Sequence, residues 1–420
     1  MMSREGTRRL TASLMTILAP ASVASVAAAV EPVVRVGANR FLTVDDEPVF
    51  VIGAYHLPAG MTLADGQAIG FNLLGAPGKL EDWDEAHRLG VYLWTSFGGA
   101  FDFGTGDVDK KRQQIRERVE QTGRHPALLF WESIDEPAWT DKQPAKPRQR
   151  PEGMVAGYRY LKSIDPNHPV YLNHAPRNTV ETLRRYSPST DIVCVDIYPI
   201  LPPQLRPMFA ITPDGRHGDL PNQTPSCVGE YVDKMRRVAH DDQAVFIVLQ
   251  AFAWEQLRDA AERDATKIRY PTYAESRFMA YHAILHGVNG LMYWGLAYVP
   301  PEHAFLDELR RVLHELRDHS DMILGRSLLH RPTLRYHERG STITGGIEVL
   351  AKQTRDKVYL IAANTSIDPA AADFSALPPE LADAKQLNVV GENRTVPIAN
   401  GAFFDEFKGL DVHVYATQRR

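Results

Sequence analysis

The stretch Leu129-Phe-Trp-Glu-Ser-Ile-Asp-Glu-Pro-Ala138 opens as an apolar run suited to a buried strand and ends in two adjacent carboxylates, Asp135 and Glu136, cut off by Pro137. Ionisable groups at the mouth of a buried strand are costly unless they are paired, hydrated or used. A proline directly after them stops the ladder and sets the direction in which the chain leaves. What the ending means depends on whether neighbouring strands end in the same way.

Working outward, one unit recurs: a helical stretch, a glycine or His-Pro, a short apolar strand, then a polar or aromatic residue. The pattern predicts strands over 49–55, 71–74, 91–95, 127–134, 169–173, 192–197, 244–250 and 290–294. Helices are expected near 62–69, 80–88, 109–123, 152–163, 178–186, 228–239, 270–286 and 303–323. Strands alternating with helices in this number and over this length match a (β/α)8 barrel. The first strand runs into Gly53-Ala-Tyr-His-Leu-Pro58, with no glycine-rich phosphate turn, which argues against a doubly wound sheet. Before it, residues 34–54 alternate apolar and polar around Asp45-Asp46-Glu47-Pro48, the pattern of a hairpin.

From about Arg331 the period changes to two, with strands expected over 342–351, 358–364, 387–390 and 411–415, a small antiparallel β-sandwich. The division expected is a barrel over 30–326 followed by a sandwich domain over 327–420. Long loops at 139–152 and 200–226 would follow the fourth and sixth strands, on the face that carries a barrel's site.

The N-terminus has the layout of an export signal over 1–29. Arg4, Arg8 and Arg9 precede a mildly apolar run from Leu10 to about Val26, and Ala27-Ala28-Ala29 offers a cleavage point. A secreted or periplasmic protein is the expectation. Beyond that segment no apolar run approaches the ~20 residues that span a bilayer. A formal charge of -5 on 420 residues gives no electrostatic case for nucleic acid. Cys194 and Cys227 are too few for a disulfide scaffold, and Cys194, in an apolar strand, reads as a buried thiol. No structural-zinc spacing and no cofactor fingerprint occurs, so neither metal nor cofactor is expected.

Nearly every predicted strand ends in groups that a core does not need: Tyr55 and His56, Asn72, Trp94, Asp135 and Glu136, Asn173 and His174, Asp196 and Tyr198, Gln250 with Trp254 and Glu255, and Trp294. One polar strand end is only a rim residue. Many together, mixed with tryptophan and tyrosine, describe a pocket for a sugar, whose C–H faces stack on aromatic rings while carboxylates and amides take its hydroxyls. Paired carboxyls in such a cleft suit acetal cleavage, one protonated to serve the leaving oxygen and one ionised to act at the oxocarbenium-like carbon. Glu136 is the expected proton donor, its longer side chain reaching over the mouth from apolar surroundings that raise its pKa. Asp135 is placed beside it and Asp196 is the second carboxylate. Glu255 and Glu230 are weaker candidates, and Glu230 is equally at home as a helix-start acid.

On these residues the chain resembles the large clan of (β/α)8 retaining glycoside hydrolases, whose fourth strand typically carries Trp-x-x-x-Asn-Glu-Pro. Here the same stretch reads Trp131-Glu-Ser-Ile-Asp135-Glu136-Pro137. The resemblance implies that Glu136 is the general acid/base, that Asp135 stands on the clan's substrate-binding asparagine, and that Trp294 is its eighth-strand tryptophan. The opening Phe50-Val-Ile-Gly-Ala-Tyr55 resembles the barrel starts of bacterial members with a C-terminal β-domain, and the late Asp411-Val-His-Val-Tyr415 resembles the last strand of that domain. The clan's nucleophile is a glutamate ending the seventh strand, where this chain has Gln250. Four routes stay open: Glu255 in its place, another carboxylate, inversion with Asp196 as base, or substrate-assisted cleavage using Asp135, Glu136, Tyr198 and Trp294. The alternative reading is a carbohydrate-binding barrel without catalysis.

Overall fold

The computed structural model describes residues 32–139, 147–202, 220–339 and 345–418. The expected export segment and parts of both long loops lie outside these residues.

Eight parallel strands close into a barrel: β1 (Val51–Ala54), β2 (Leu73–Gly75), β3 (Tyr92–Ser96), β4 (Leu128–Glu132), β5 (Val170–His174), β6 (Ile192–Asp196), β7 (Ala244–Gln250) and β8 (Gly290–Trp294). A helix follows each in turn: α1 (Leu63–Ile69), α2 (Leu80–Arg88), α3 (Val108–Thr122), α4 (Pro151–Ile164), α5 (Val180–Arg184), α6 (Cys227–Val238), α7 (Tyr273–Leu285) and α8 (Phe305–Asp318). Closure comes where β8 pairs with β1, Gly290 opposite Val51. The strands are apolar up to their C-terminal ends because both faces are covered. Inward residues Val51, Leu73, Phe130, Tyr171, Ile192, Phe246 and Met292 fill the barrel. Outward residues Ile52, Leu93, Leu172, Val195 and Ile247 meet the helices. Truncating a ring such as Phe246 to alanine would cost about 3–5 kcal/mol.

The expected hairpin is present as three short strands, Val34–Val36, Leu42–Val44 and Glu47–Val49. Asp45 and Asp46 take the left-handed backbone its turn requires. Val34 and Leu42 join the barrel's inner cluster, and the Val34 N–H donates to Asn167 O just ahead of β5, so the hairpin stoppers the N-terminal end. The opposite, C-terminal end is left as the open mouth.

After the barrel come β9 (Arg326–Leu328), β10 (Thr333–Glu338), β11 (Ile347–Gln353), β12 (Lys357–Asn364), β13 (Ala370–Ser375), β14 (Gln386–Val389), β15 (Arg394–Pro397), β16 (Phe403–Phe407) and β17 (Val412–Gln418). They form a six-stranded antiparallel sheet in the order β9-β11-β12-β17-β14-β15 and a three-stranded one, β10-β13-β16. Val349, Leu360, Phe374, Phe403 and Tyr415 share one core between the sheets. Alternate residues of the larger sheet, Leu350, Ile361, Val412 and Val414, turn the other way into the barrel's outer core. The sequence pattern missed five of these strands. β13 is Ala-Ala-Ala-Asp-Phe-Ser, whose alanines carry little strand signal, and β15 ends in proline.

The deciding stretch also departs from expectation. The strand expected over 127–134 stops at Glu132. The ladder to β5 runs regularly through Trp131 N–H to Pro169 O and Ser133 N–H to Tyr171 O, but the next bond, to Asn173 O, comes from Glu136 rather than residue 135. One extra residue is accommodated, as in a β-bulge, and the two-residue alternation is broken.

Candidate active site

The bulge determines how the acids are presented. Glu136 sits at φ 47°, a left-handed conformation that a non-glycine residue adopts only under constraint and that tends to mark functional sites. Its N–H is bonded to Asn173 O and its carbonyl accepts the N–H of Trp139, which fixes the turn through Pro137. Arg148, on the chain returning to α4, places Nη1 3.2 Å from Glu136 Oε2. The expected apolar setting of Glu136 is thus corrected: the residue is partly open to solvent and has a guanidinium beside it.

Asn173 and Asp196, from the ends of β5 and β6, complete the group. The Asn173 amide donates to Asp135 Oδ1 at 3.0 Å and to Asp196 Oδ1 at 3.4 Å, tying the two carboxyls together. Among the described residues, Asn173 Oδ1 has no hydrogen-bond partner. Asp196 is buried, and its carboxyl is raised well above the usual range by burial first, then by the charges of Glu136 and Asp135. Asp135 reaches the surface of the mouth. The surrounding protein still raises its carboxyl, against the Asn173 bond and Arg148, which lower it.

A fourth acid was not among the sequence candidates. Glu132, the last residue of β4, is 4% exposed, lies beside the Ser96 and Tyr55 hydroxyls, and is pushed up to about 8 by burial and then by Asp135. Among the described residues, its Oε1 has no hydrogen-bond partner. The signal was available: Glu132 stands at the inward position two residues after Phe130, in a strand otherwise apolar. Burial and like charge thus raise the carboxyls of Glu132, Asp135 and Asp196 together, at the corner where β4, β5 and β6 end.

The remaining expected residues divide into three sets. Tyr55, His56 and Trp94, with Met61 and Ser96, line a cleft of about 430 Å³ on the β1–β3 side of the mouth. The Tyr55 hydroxyl meets that of Tyr171 at 2.9 Å, and Tyr55 and Trp94 lie edge to face at 5.0 Å. Tyr198, Trp254 and Trp294 form an aromatic wall beyond β6–β8. Tyr198 stacks on Trp294 at 5.6 Å and the Trp254 indole donates to Tyr198 O. Phe252, not anticipated, packs between Trp254 and Trp294. Gly295, at φ 97°, leaves the space that Phe252 occupies.

The third set does not face the pocket. Gln250 gives both amide protons to backbone, at Ile200 O and Phe252 O, and accepts the Ile200 N–H, so it straps the β6 loop. Glu255 is buried, accepting the Asp264 N–H at 2.8 Å with Arg258 nearby, and braces the loop that follows β7. His174 points away from the barrel interior onto Tyr186, and burial presses its pKa down to about 3. Asn72 bonds the backbone of Ile52 and Phe50, and Glu230 accepts from Asn222. Cys194 and Cys227 are free, buried thiols.

No protein-family model matches the chain, and no curated protein matches it. Solved structures do. A glycoside hydrolase matches with TM-score 0.58 at 12% identity over 92% of this chain and 96% of its own. A glycoside hydrolase family 5 protein from Bacteroides vulgatus matches with TM-score 0.59 at 13% identity, over 91% and 93%. An α-amylase from Geobacillus thermoleovorans, solved in complex with acarbose, matches with TM-score 0.54 at 10% identity, over 88% and 98%. At such identities the likeness is one of fold: the chain has the barrel architecture of glycoside hydrolases.

Proposed function

We propose that the protein is a glycoside hydrolase that cleaves O-glycosidic bonds of an oligo- or polysaccharide by carboxylic acid/base catalysis. The observation that carries this is the convergence of Asp135, Glu136 and Asp196 at one corner of the mouth, with Arg148 paired to Glu136. Two environments divide the roles. Asp196, buried against neighbouring charge, keeps its proton and delivers it to the leaving oxygen. Glu136, ion-paired and more open, is the ionised carboxylate that acts at the anomeric carbon or on the water attacking it. Asp135, held by Asn173, orients the substrate's hydroxyls, and Tyr198 and Trp294 supply the stacking face. The acarbose complex of a neighbouring fold supports a carbohydrate as ligand, and the export-type N-terminus supports a secreted or periplasmic setting.

The test is turnover of a panel of plant, microbial and N-acetylated glycans by the full chain and by Glu136→Gln. Release of reducing ends by the wild type, lost in the variant, is the expected result. Equal turnover by the variant would remove Glu136 from the chemistry. A second reading, a sugar-binding barrel without catalysis, is favoured by one observation: Gln250 and Glu255 are both committed to loop backbone, so neither presents a carboxylate from the end of β7. Glycan binding by the wild type without turnover of any panel member would select it.

A further inference from the structure

Away from the mouth, where α7 lies against the six-stranded sheet, three side chains aim at one point. His282 and His286 stand one helical turn apart, within α7 and just past its end, and Glu348 projects from β11. Their Nε2 atoms are 3.2 Å apart, and Glu348 Oε2 lies 3.2 Å from the first and 2.8 Å from the second. No other group of histidine, cysteine, aspartate and glutamate among the described residues converges this closely. Bonds of ~2.0–2.1 Å to a tetrahedral zinc ion set neighbouring ligand atoms ~3.3–3.4 Å apart, close to the edges of this triangle.

Two further features favour a cation at that point. His286 turns Nδ1 to Asp233 Oδ2 at 2.9 Å, and a carboxylate behind an imidazole fixes the tautomer that leaves Nε2 free to bind a metal. Gly229, in the first turn of α6, is packed so closely that a Cβ there would lie 2.5 Å from both His282 Cε1 and His286 Nε2. Only glycine lets the two rings meet.

We propose that His282, His286 and Glu348 bind one divalent first-row transition cation, which pins helix α7 of the barrel to the C-terminal sheet. Two imidazoles and a carboxylate suit zinc and its neighbours better than calcium or magnesium. Both histidines bind through Nε2 lone pairs, so the protons there must leave. His286 keeps its Nδ1 proton on Asp233. His282, whose Nδ1 accepts the Gly229 N–H at 3.2 Å in the metal-free arrangement, carries its proton to Nδ1 and gives up that contact. Solvent completes the shell, since the Glu348 side chain is 43% exposed.

The test is zinc titration of the full chain after chelator treatment, followed by calorimetry and thermal unfolding. One ion per chain is expected, with a raised unfolding midpoint. His286→Gln and Glu348→Gln should each weaken binding at least ~tenfold and leave glycan turnover unchanged. Cobalt titration of the unaltered chain reads the same site without a variant, through the visible absorption of imidazole-bound cobalt. Absence of stoichiometric uptake by the wild type, or uptake and cobalt spectra unchanged in both variants, would show that protons alone hold the cluster.

Discussion

Two clusters of buried acid, one at the barrel mouth and one in the C-terminal sheets, are built in opposite ways. Asp405 on β16 accepts from Arg394 Nη1 and Nη2, each at 2.9 Å, from the Tyr415 hydroxyl at 2.6 Å, and meets His413 Nδ1 at 3.0 Å. These partners outweigh burial and hold its carboxyl well below the usual range. At the mouth, Glu132, Asp135 and Asp196 lie against one another and are driven the other way. Asp196 and Asp405, both buried, show the contrast: a carboxyl is a charged fastener where donors converge on it and is driven toward its protonated form where other acids do.

That contrast can be broken in several ways. The largest effect should be on turnover: Asp196→Asn is expected to lower kcat roughly 10²–10⁴-fold, with the unfolding midpoint of the wild type or higher, because a repelled acid is removed. Asp405→Ala is its mirror image. Breaking a buried, hydrogen-bonded pair costs about 3–5 kcal/mol, read by urea unfolding, while turnover per folded molecule stays the same. Because folding depresses the Asp405 pKa, its contribution is present above the ordinary aspartate pKa and is lost as pH falls below it.

Gln250→Glu asks whether the seventh strand merely lacks its acid. A carboxylate cannot donate to Ile200 O and Phe252 O, so the substitution should cost about 1–3 kcal/mol in unfolding measurements and add no activity. A gain in turnover would mean that the Gln250 strap conceals a catalytic position. The smallest effect is one of slope. The native barrel holds a proton on Glu132 that the unfolded chain has released between about pH 4.5 and 8. The wild type should therefore lose stability as pH rises through that window, and Glu132→Gln should flatten the profile, gaining about 1–3 kcal/mol near pH 8.

The barrel was legible in the sequence because its strands open as apolar runs and turn signals separate them from the helices. β7 and β8 appear where their residues predict them, to the residue. Asp135, Glu136, Asn173 and Asp196 were legible as strand ends, and they do meet. The bulge at 133–136 was not, because it depends on which residue bonds Asn173 O across the ladder. Nor was the direction in which Gln250, Glu255 and His174 point, which neighbouring loops and helices settle. Glu132 was hidden because it stands three residues before an acid pair that claims attention first. Arg148, distant in sequence from the strand end, reverses the expected setting of Glu136.

The most direct test compares leaving groups. Asp196→Asn and Glu136→Gln are each assayed on aryl glycosides whose phenol leaves with or without help from an acid. If Asp196 holds the catalytic proton, Asp196→Asn keeps near-wild-type cleavage of the dinitrophenyl glycoside and loses that of the unactivated one, while Glu136→Gln loses both. Retention of the activated substrate by Glu136→Gln, with Asp196→Asn inactive on both, would reverse the assignment and contradict the division of roles.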